Sequence, residues 1–282
     1  MSRAVELVHE GLDFGEGPRW HAGRLWVSDF YAHQVSSFGP TGDSRVEVEL
    51  DDQPSGLGWL PTGDLLVVAM TSRQVRRVDA DGGIHVHADL SGIATGHAND
   101  MVVDCRGNAY VGNFGFDTEG GEQPRAADLA LVRPNGTSEV VATDLRFPNG
   151  SVVTPDGTTL IVGESMGRRY TAFTIRDDGT LDDRRTWAGL DGMGPDGCVL
   201  DAEGAIWMAD AYGGGCHRVI EGGEIVESVT ASLPVFACTL GGPDRRTLFL
   251  ITAPEFGESV CAGKGLGRIE AVDVDVSGAG WP

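Results

Sequence analysis

A short pattern recurs six times along this chain, and it limits the possible fold more than any other feature. Each copy has a turn, a short apolar strand, a second turn rich in Gly and polar residues, and a second apolar strand. The clearest copy is residues 194–210, GPDGCVLDAEGAIWMAD. The copies start near residues 16, 54, 97, 147, 194 and 236. A spacing of roughly 40 to 50 residues is typical of folds built from repeated β-structured blades.

Two short strands joined by a Gly-containing turn predict a β-hairpin. A hairpin cannot bury its own apolar face, so the six copies must stack on one another. We therefore predict an all-β protein, a six-bladed β-propeller with a central channel, as a single domain over residues 1–282. The run from Ala4 to Val8 is expected to pair with the last blade and close the ring. The alternative is a β-sandwich with similar turns, but a sandwich does not require a fixed long period.

The chain is strongly acidic, with 42 Asp and Glu against 21 Lys and Arg and a formal net charge of −21. Nucleic acids and anionic membranes require a basic face, so we exclude both as partners. The alternative to a functional role for the acidity is that it serves solubility alone. The sequence has no apolar run of membrane-spanning length and no signal-peptide core near its start. Its five cysteines form no C-x-x-C pair, which predicts small buried thiols in a reducing compartment. We expect a cytoplasmic monomer or weak homo-oligomer that acts on a small molecule.

Oxygen-bearing side chains occupy the same place in four of the six copies, at the turn that leads into the first strand. They are Glu16, Asn99, Asn149 and Asp196. In a propeller these strand starts converge on one end of the central channel. Oxygen ligands without His or Cys suit a hard cation, so we predict one divalent cation, Ca²⁺ before Zn²⁺ or Mn²⁺. The alternative is that each of the four simply favours a turn.

The segments around these positions resemble one protein family. They read FGEGPRW, HANDM, FPNGSVVTPDG and GPDGCVLDAEGAIW. This combination resembles the senescence-marker-protein/gluconolactonase family, which includes regucalcin and bacterial sugar lactonases, and the resemblance extends over essentially the whole chain. It implies a six-bladed propeller with a single divalent metal ion in its channel.

The resemblance also implies a role for each candidate residue. Glu16, Asn149 and Asp196 correspond to metal ligands, and Asp196 also to the general base. Asn99 corresponds to a residue that contacts substrate or adds a fourth ligand. Members that act on sugar lactones often carry Arg two residues before this Asn, where the present chain has His97. A His lacks the multidentate grip of a guanidinium on hydroxyl groups, so a sugar substrate is less certain here.

Three further positions are candidates for contact with substrate. His97 could orient substrate or shuttle protons, or it could be an ordinary solvated or core histidine. Asp100 follows Asn99 directly. Glu164 ends the second strand of the fourth copy and could face the channel, or it could be a strand-end carboxylate in water. The weakly apolar segment 114–128 is either a lid or binding loop at the channel mouth or a disordered segment.

Together these features predict a divalent-metal-dependent hydrolase that opens a sugar lactone or another small lactone or ester. In this interpretation the metal acts as a Lewis acid and Asp196 as the general base. The same site could instead serve a phosphotriesterase-like or a non-hydrolytic metal-dependent reaction. Outside enzymes, the alternative is a calcium-binding protein without chemistry, since propellers host many unrelated functions.

Overall fold

The computed structural model describes residues 4–40, 42–118 and 120–280. In these ranges 24 strands form six four-stranded antiparallel sheets, and one short helix, α1, spans Glu258–Cys261. The protein is thus a six-bladed β-propeller, as its repeats predict. Among the described residues no helix is long and apolar enough to cross a bilayer.

Each of the first five blades consists of four consecutive strands. In chain order these are β2 (Gly15–His21), β3 (Arg24–Asp29), β4 (Gln34–Phe38) and β5 (Ser44–Glu49); β6 (Pro54–Trp59), β7 (Leu65–Ala69), β8 (Gln74–Val78) and β9 (Ile84–Asp89); β10 (Ala98–Val103), β11 (Ala109–Asn113), β12 (Ala127–Val132) and β13 (Ser138–Leu145); β14 (Pro148–Val153), β15 (Thr159–Glu164), β16 (Arg169–Ile175) and β17 (Leu181–Gly189); β18 (Pro195–Leu200), β19 (Ile206–Asp210), β20 (Cys216–Val219) and β21 (Ile225–Val229).

The sixth blade joins the two ends of the chain. It consists of β22 (Val235–Gly241), β23 (Thr247–Thr252), β24 (Gly267–Asp273) and β1 (Glu6–Leu12). The register runs from Glu6 opposite Ala271 to Leu12 opposite Gly267. The N-terminal run is therefore the outermost strand of the last blade, and this pairing closes the ring.

Burial falls from the centre of the ring to its periphery. The innermost strands β10 and β14 are buried along their whole length, whereas the outermost strand β5 is exposed at five of its six residues. Four of the five cysteines are buried and free, but Cys105 is exposed, so the prediction of buried thiols is wrong at that position. Apolar side chains between neighbouring sheets thus form the core, and the inner strands line the channel.

The inner strands approach each other so closely that glycine is required. A Cβ at Gly150 of β14 would lie 2.2 Å from the backbone oxygen of Asp196 in β18. A Cβ at Gly56 of β6 would lie 2.3 Å from the backbone nitrogen of Met101 in β10. These contacts pack neighbouring inner strands backbone to backbone around the channel.

Candidate active site in the central channel

Every inner strand has an irregular start, and the candidate ligands lie in these irregularities. In blade five the pairing of β18 with β19 shifts between Pro195 and Cys198, which brackets Asp196. The equivalent shifts bracket Asn99 and Asn149, and in blade one the shift begins at Glu16, which still pairs with Ser28. A β-bulge takes residues out of the regular pairing and re-aims their side chains. The repeat therefore places all four predicted residues at equivalent bulges at one end of the channel.

The remaining two blades hold different residues at this position. Blade two has Ser55 and blade six has Phe236, and both are buried. The bulge positions thus form a ring of six residues, of which two are carboxylates, two are amides, one is a hydroxyl and one is aromatic. The polar members are suited to a cation or a polar ligand, and the ring is incomplete toward blade six, where the side chain is apolar.

The two carboxylates of this ring are buried and influence each other. Glu16 and Asp196 are each 7% exposed. Burial, and then the negative charges of Asp196 and Asp100, raise the pKa of Glu16 well above its usual range. Burial is also the main cause that raises the pKa of Asp196 to about 7, against a hydrogen bond from the Asn149 amide. The positive charge of Arg19 and a hydrogen bond from the Gly17 N–H oppose the rise for Glu16 but do not cancel it.

Asp100 already has a partner, which comes from a different blade. Nη2 of Arg19 in β2 lies 3.0 Å from Oδ1 of Asp100 and donates to the carbonyl oxygen of Met101 at 2.6 Å. Arg19 and Asp100 are both buried. We therefore reassign Asp100 from substrate contact to support of the site, because its carboxylate is engaged by a buried guanidinium.

The site holds more buried carboxyl groups than buried positive groups. Glu16, Asp100 and Asp196 share one buried guanidinium, Arg19, and buried Asp210 also raises the pKa of Asp196. Buried charges are normally paired or bound to metal. Across the described ranges no group of three or more His, Cys, Asp and Glu side chains is arranged to hold a metal ion. A site here would consequently have to combine the two free carboxylates with amide oxygens.

Two amide side chains are available for this purpose. Nδ2 of Asn149 donates to the Ser165 hydroxyl at 3.2 Å, which orients the amide and leaves its carbonyl oxygen as an acceptor. Nδ2 of Asn99 is buried and has no hydrogen-bond partner within the described part of the chain. This orphaned NH₂ group is a hydrogen-bond donor, so it suits an acceptor atom of a ligand and not a cation. The two carboxylates and the amide oxygens of Asn99 and Asn149 are ligand types that fit a hard cation, with positions left for water or substrate.

Aromatic rings border the candidate site on the side of blades three and four. The half-buried His97 lies 5.8 Å from Phe114 between ring centroids, and Phe114 stacks on Phe147 at 4.6 Å. Phe147 has the left-handed backbone angle φ 61° and precedes β14, which carries Asn149. His97 thus begins an aromatic wall at the channel mouth, which suits the flat or apolar part of a substrate.

Glu164 does not join the ring. Its fully buried carboxylate accepts hydrogen bonds from Arg169 Nε at 2.7 Å, from the Thr171 hydroxyl at 2.5 Å and from the Arg146 N–H at 2.8 Å. Burial opposes its ionisation, but these donors outweigh it and lower the pKa of Glu164 below the usual range. We reassign Glu164 to holding blade four together, because its oxygens are occupied by that blade.

The segment 114–128 is folded back on itself where the structure describes it. Arg125 Nε donates to the Gly115 carbonyl at 2.8 Å, and the Gly120 N–H donates to Asp117 Oδ1 at 2.7 Å. Phe116 is buried and lies 6.3 Å from Phe147. The described part of this segment therefore extends the aromatic wall of the mouth.

Comparison with known proteins agrees with this architecture. The family model for the SMP-30/gluconolactonase/LRE-like region matches residues 14–254. The 6-deoxy-6-sulfogluconolactonase of Pseudomonas putida is 25% identical over 261 residues, which cover 88% of this chain and 86% of that protein.

Two solved structures share the fold at lower identity. Regucalcin from Agrobacterium tumefaciens, described as a calcium-binding protein, has a TM-score of 0.84 and 22% identity, covering 100% of this chain and 97% of its own. A gluconolactonase from Xanthomonas campestris has a TM-score of 0.79 and 22% identity, covering 97% of this chain and 90% of its own. Because the family model spans most of the sequence, this chain belongs to the SMP-30/gluconolactonase/LRE-like family.

Proposed function

We propose that this protein is a divalent-metal-dependent lactonase. The observation that carries the proposal is the pair of buried carboxyl groups, Glu16 and Asp196. Neither forms an ion pair within the described residues, and both lie in the same ring as two amide side chains. Such a pair is unfavourable in a protein without a cation and becomes favourable when one binds. The lactonases among its relatives support the reaction class.

In this proposal Glu16, Asn149 and Asp196 hold the ion, and Asn99 provides a fourth ligand or contacts the substrate. Oxygen ligands favour Ca²⁺, with Mn²⁺ and Zn²⁺ as the other candidates. The bound ion would supply Lewis acidity toward the lactone carbonyl. In this proposal the substrate approaches the ring from the side of His97.

Asp196 is the proposed general base. Its carboxylate has two oxygens, so one can remain free to accept a proton from the attacking water. A cation bound beside Asp196 would favour its ionised form, which is the form that accepts a proton. The buried Asn149 amide, which donates to Asp196, orients the carboxylate.

The test combines metal removal with a substrate panel. Protein stripped with a chelator is assayed on aldonolactones and on simple aliphatic and aromatic lactones with a pH indicator, before and after Ca²⁺, Mn²⁺ or Zn²⁺ is restored. We expect activity to vanish with the chelator and return with one ion. Protein that binds an ion but opens no lactone with any of them would refute the lactonase proposal and favour a calcium-binding or phosphotriesterase-like role.

Two variants and one control locate the site. Glu16→Gln and Asp196→Asn should each abolish turnover and also remove the heat of Ca²⁺ binding in isothermal titration calorimetry. The control is Asp191→Asn, the same substitution at an exposed carboxylate in the connection that leads into β18. This control should retain both signals, and an Asp196→Asn variant with wild-type kcat would rule out Asp196 as the base.

A further inference from the structure

Two arginines lie at the channel mouth of blade four without a carboxylate partner. Arg168 is in the connection from β15 to β16, and Arg146 precedes β14, so both are at the end of the blade where Asn149 lies. The two connections touch, because a Cβ at Gly167 would lie 3.4 Å from the Arg146 Cβ. Both arginines are exposed, and within the described ranges neither has a carboxylate oxygen within 4.0 Å of its guanidinium.

An aromatic ring connects Arg168 to the candidate site. The guanidinium carbon of Arg168 lies 5.8 Å from the centroid of the Tyr212 ring, which belongs to blade five. That ring packs directly on Gly194, since a Cβ there would lie 2.7 Å from its Cε2 atom. Gly194 is two residues before Asp196, so the layered arrangement of Arg168 over Tyr212 stands beside the proposed base.

The left-handed backbone conformation of Arg168 recurs at equivalent turns of other blades, so it is not evidence for a function. Arg168 has φ 52°, and the equivalent residues His33 and Arg73 have φ 56° and 55°. The side chains differ, because Arg73 donates from Nη1 to the Ala94 carbonyl at 3.2 Å, whereas the Arg168 guanidinium makes no hydrogen bond to the described residues. The unused guanidinium donors thus distinguish Arg168 from Arg73 at the equivalent turn of blade two.

We propose that Arg168, held over Tyr212, binds an anionic substituent of the substrate, so that the preferred substrates are lactones carrying a carboxylate, sulfonate or phosphate group. This inference rests on the lactonase function proposed above. The planar guanidinium offers paired donors that match such anionic groups. Arg146 adds a second positive charge to the same edge of the mouth.

Any preference for anionic substrates must come from positive charges close to the site, because the protein as a whole is negatively charged. With a formal net charge of −21, the molecule repels anions at long range. Attraction of an anionic lactone must therefore come from charges at the mouth itself. An exposed arginine whose donors are unoccupied provides that attraction without breaking an existing ion pair.

The experiment uses pairs of an anionic and a neutral substrate. One pair, 5-oxotetrahydrofuran-2-carboxylate and its carboxamide, is nearly isosteric. The other pair, 6-phosphoglucono-1,5-lactone and glucono-1,5-lactone, differs by the phosphate group. The quantity measured is the ratio of kcat/KM for the anionic substrate to that for its neutral partner, on the metal-loaded protein. The first pair reports on a carboxylate and the second on a phosphate.

We expect the ratio to exceed one in the wild type for at least one pair. In Arg168→Gln the ratio should fall by about 10- to 100-fold, because charge-assisted hydrogen bonds to the anionic group are lost. Arg168→Lys should lie in between. Arg73→Gln is the matched control, because Arg73 occupies the equivalent turn of blade two, and its ratio should equal that of the wild type. A wild-type ratio of one for both pairs, or an equal loss in Arg73→Gln, would overturn the proposal.

A binding measurement separates this inference from the lactonase function. The lactams 5-oxoproline and its carboxamide have the same charge difference and are not opened by a lactonase. Wild-type protein should bind the anionic lactam more tightly in calorimetry, and Arg168→Gln should lose this difference. If no lactone is hydrolysed but the lactam difference depends on Arg168, the reaction class is wrong and the anion site stands. If lactones are hydrolysed but neither ratio depends on Arg168, only the anion site is wrong.

Discussion

Replacing the proposed base with a neutral isostere should stabilise the protein when metal is absent. Asp196→Asn removes one of two buried carboxyl groups that form no ion pair within the described residues. Its pKa in the folded protein, about 7, lies above the ordinary value of 3.8. The folded state therefore holds its proton more tightly than the unfolded state, and stability falls as pH rises from about 4 to 7.

The size of the effect follows from this difference in pKa. A rise from 3.8 to about 7 corresponds to about 4 kcal/mol of lost stability at pH 8, and about 2.5 kcal/mol of that loss develops between pH 5 and pH 8. Relaxation of the channel and proton sharing with Glu16 reduce the stability gained on substitution. We therefore expect Asp196→Asn to raise the free energy of unfolding by about 2 kcal/mol. In a chain of this size that gain raises Tm by about 4 °C.

The assay is differential scanning calorimetry of chelator-treated protein at pH 5 and pH 8. Comparing variant with wild type at each pH cancels the contributions of other titrating groups. Adding Ca²⁺ should reverse the order, because the wild type gains about 2.7 kcal/mol at an ion concentration of 100 Kd and the variant gains little. Two results would refute the reasoning. One is that the Asp196→Asn variant is less stable than wild type at pH 8 without metal, and the other is that Ca²⁺ stabilises variant and wild type equally.

Asp52→Asn is the matched control, with an effect of the opposite sign. Its buried carboxylate uses both oxygens, accepting the Thr71 N–H at 2.9 Å on Oδ1 and the Ser72 N–H at 2.8 Å on Oδ2. Burial opposes ionisation of Asp52, but these hydrogen bonds outweigh it and lower its pKa. The side-chain NH₂ group of the variant would face one of these backbone N–H donors, so the variant should lose about 1–3 kcal/mol of unfolding free energy at neutral pH.

Three further substitutions test the architecture around the site, each by urea unfolding. Gly150→Ala places a Cβ 2.2 Å from the backbone oxygen of Asp196, so we expect a loss of about 1–3 kcal/mol together with activity, and wild-type values for both would contradict the close packing. Arg19→Met leaves Asp100 buried and unpaired and should cost about 3–5 kcal/mol, most of which Asp100→Asn in the same chain should restore. Glu164→Gln should have a lower free energy of unfolding than wild type at pH 7. This difference should shrink as pH falls below about 4.5, because the pKa of Glu164 is lowered in the folded protein. A difference that does not depend on pH would contradict the ionised state of Glu164.

The fold could be predicted because the repeat specifies it several times over. Every blade repeats the same turn and strand pattern, so the fold can be predicted from the remaining copies where one copy is irregular. The inner strands begin at residues 15, 54, 98, 148, 195 and 235, close to the copy starts near 16, 54, 97, 147, 194 and 236. The outer boundaries are less regular, since β1 begins at Glu6 and extends to Leu12 rather than running from Ala4 to Val8.

The candidate site was only partly predictable, because sequence position gives the location of a residue but not its partner. Asp100 was predicted to contact substrate from its place beside Asn99. Its guanidinium partner, Arg19, lies 81 residues earlier in another blade, and no local pattern connects the two. Glu164 is different, since it is directly opposite Arg169 across the turn between β15 and β16, and a hairpin register would have paired them.

Buried carboxylates serve two opposite purposes in this protein, and the donors around them distinguish the two. Asp52 lies in a connection between strands, where it accepts several backbone N–H groups, so folding stabilises its ionised form. Glu16 and Asp196 lie at the bulges of the inner strands, where burial and neighbouring carboxylates outweigh their hydrogen bonds and the charge of Arg19, so folding disfavours their ionised forms. The residue types are the same, and only their positions within the repeat differ. A cation in the channel would remove that penalty, so the stability of the ring and the occupancy of the proposed site should rise together.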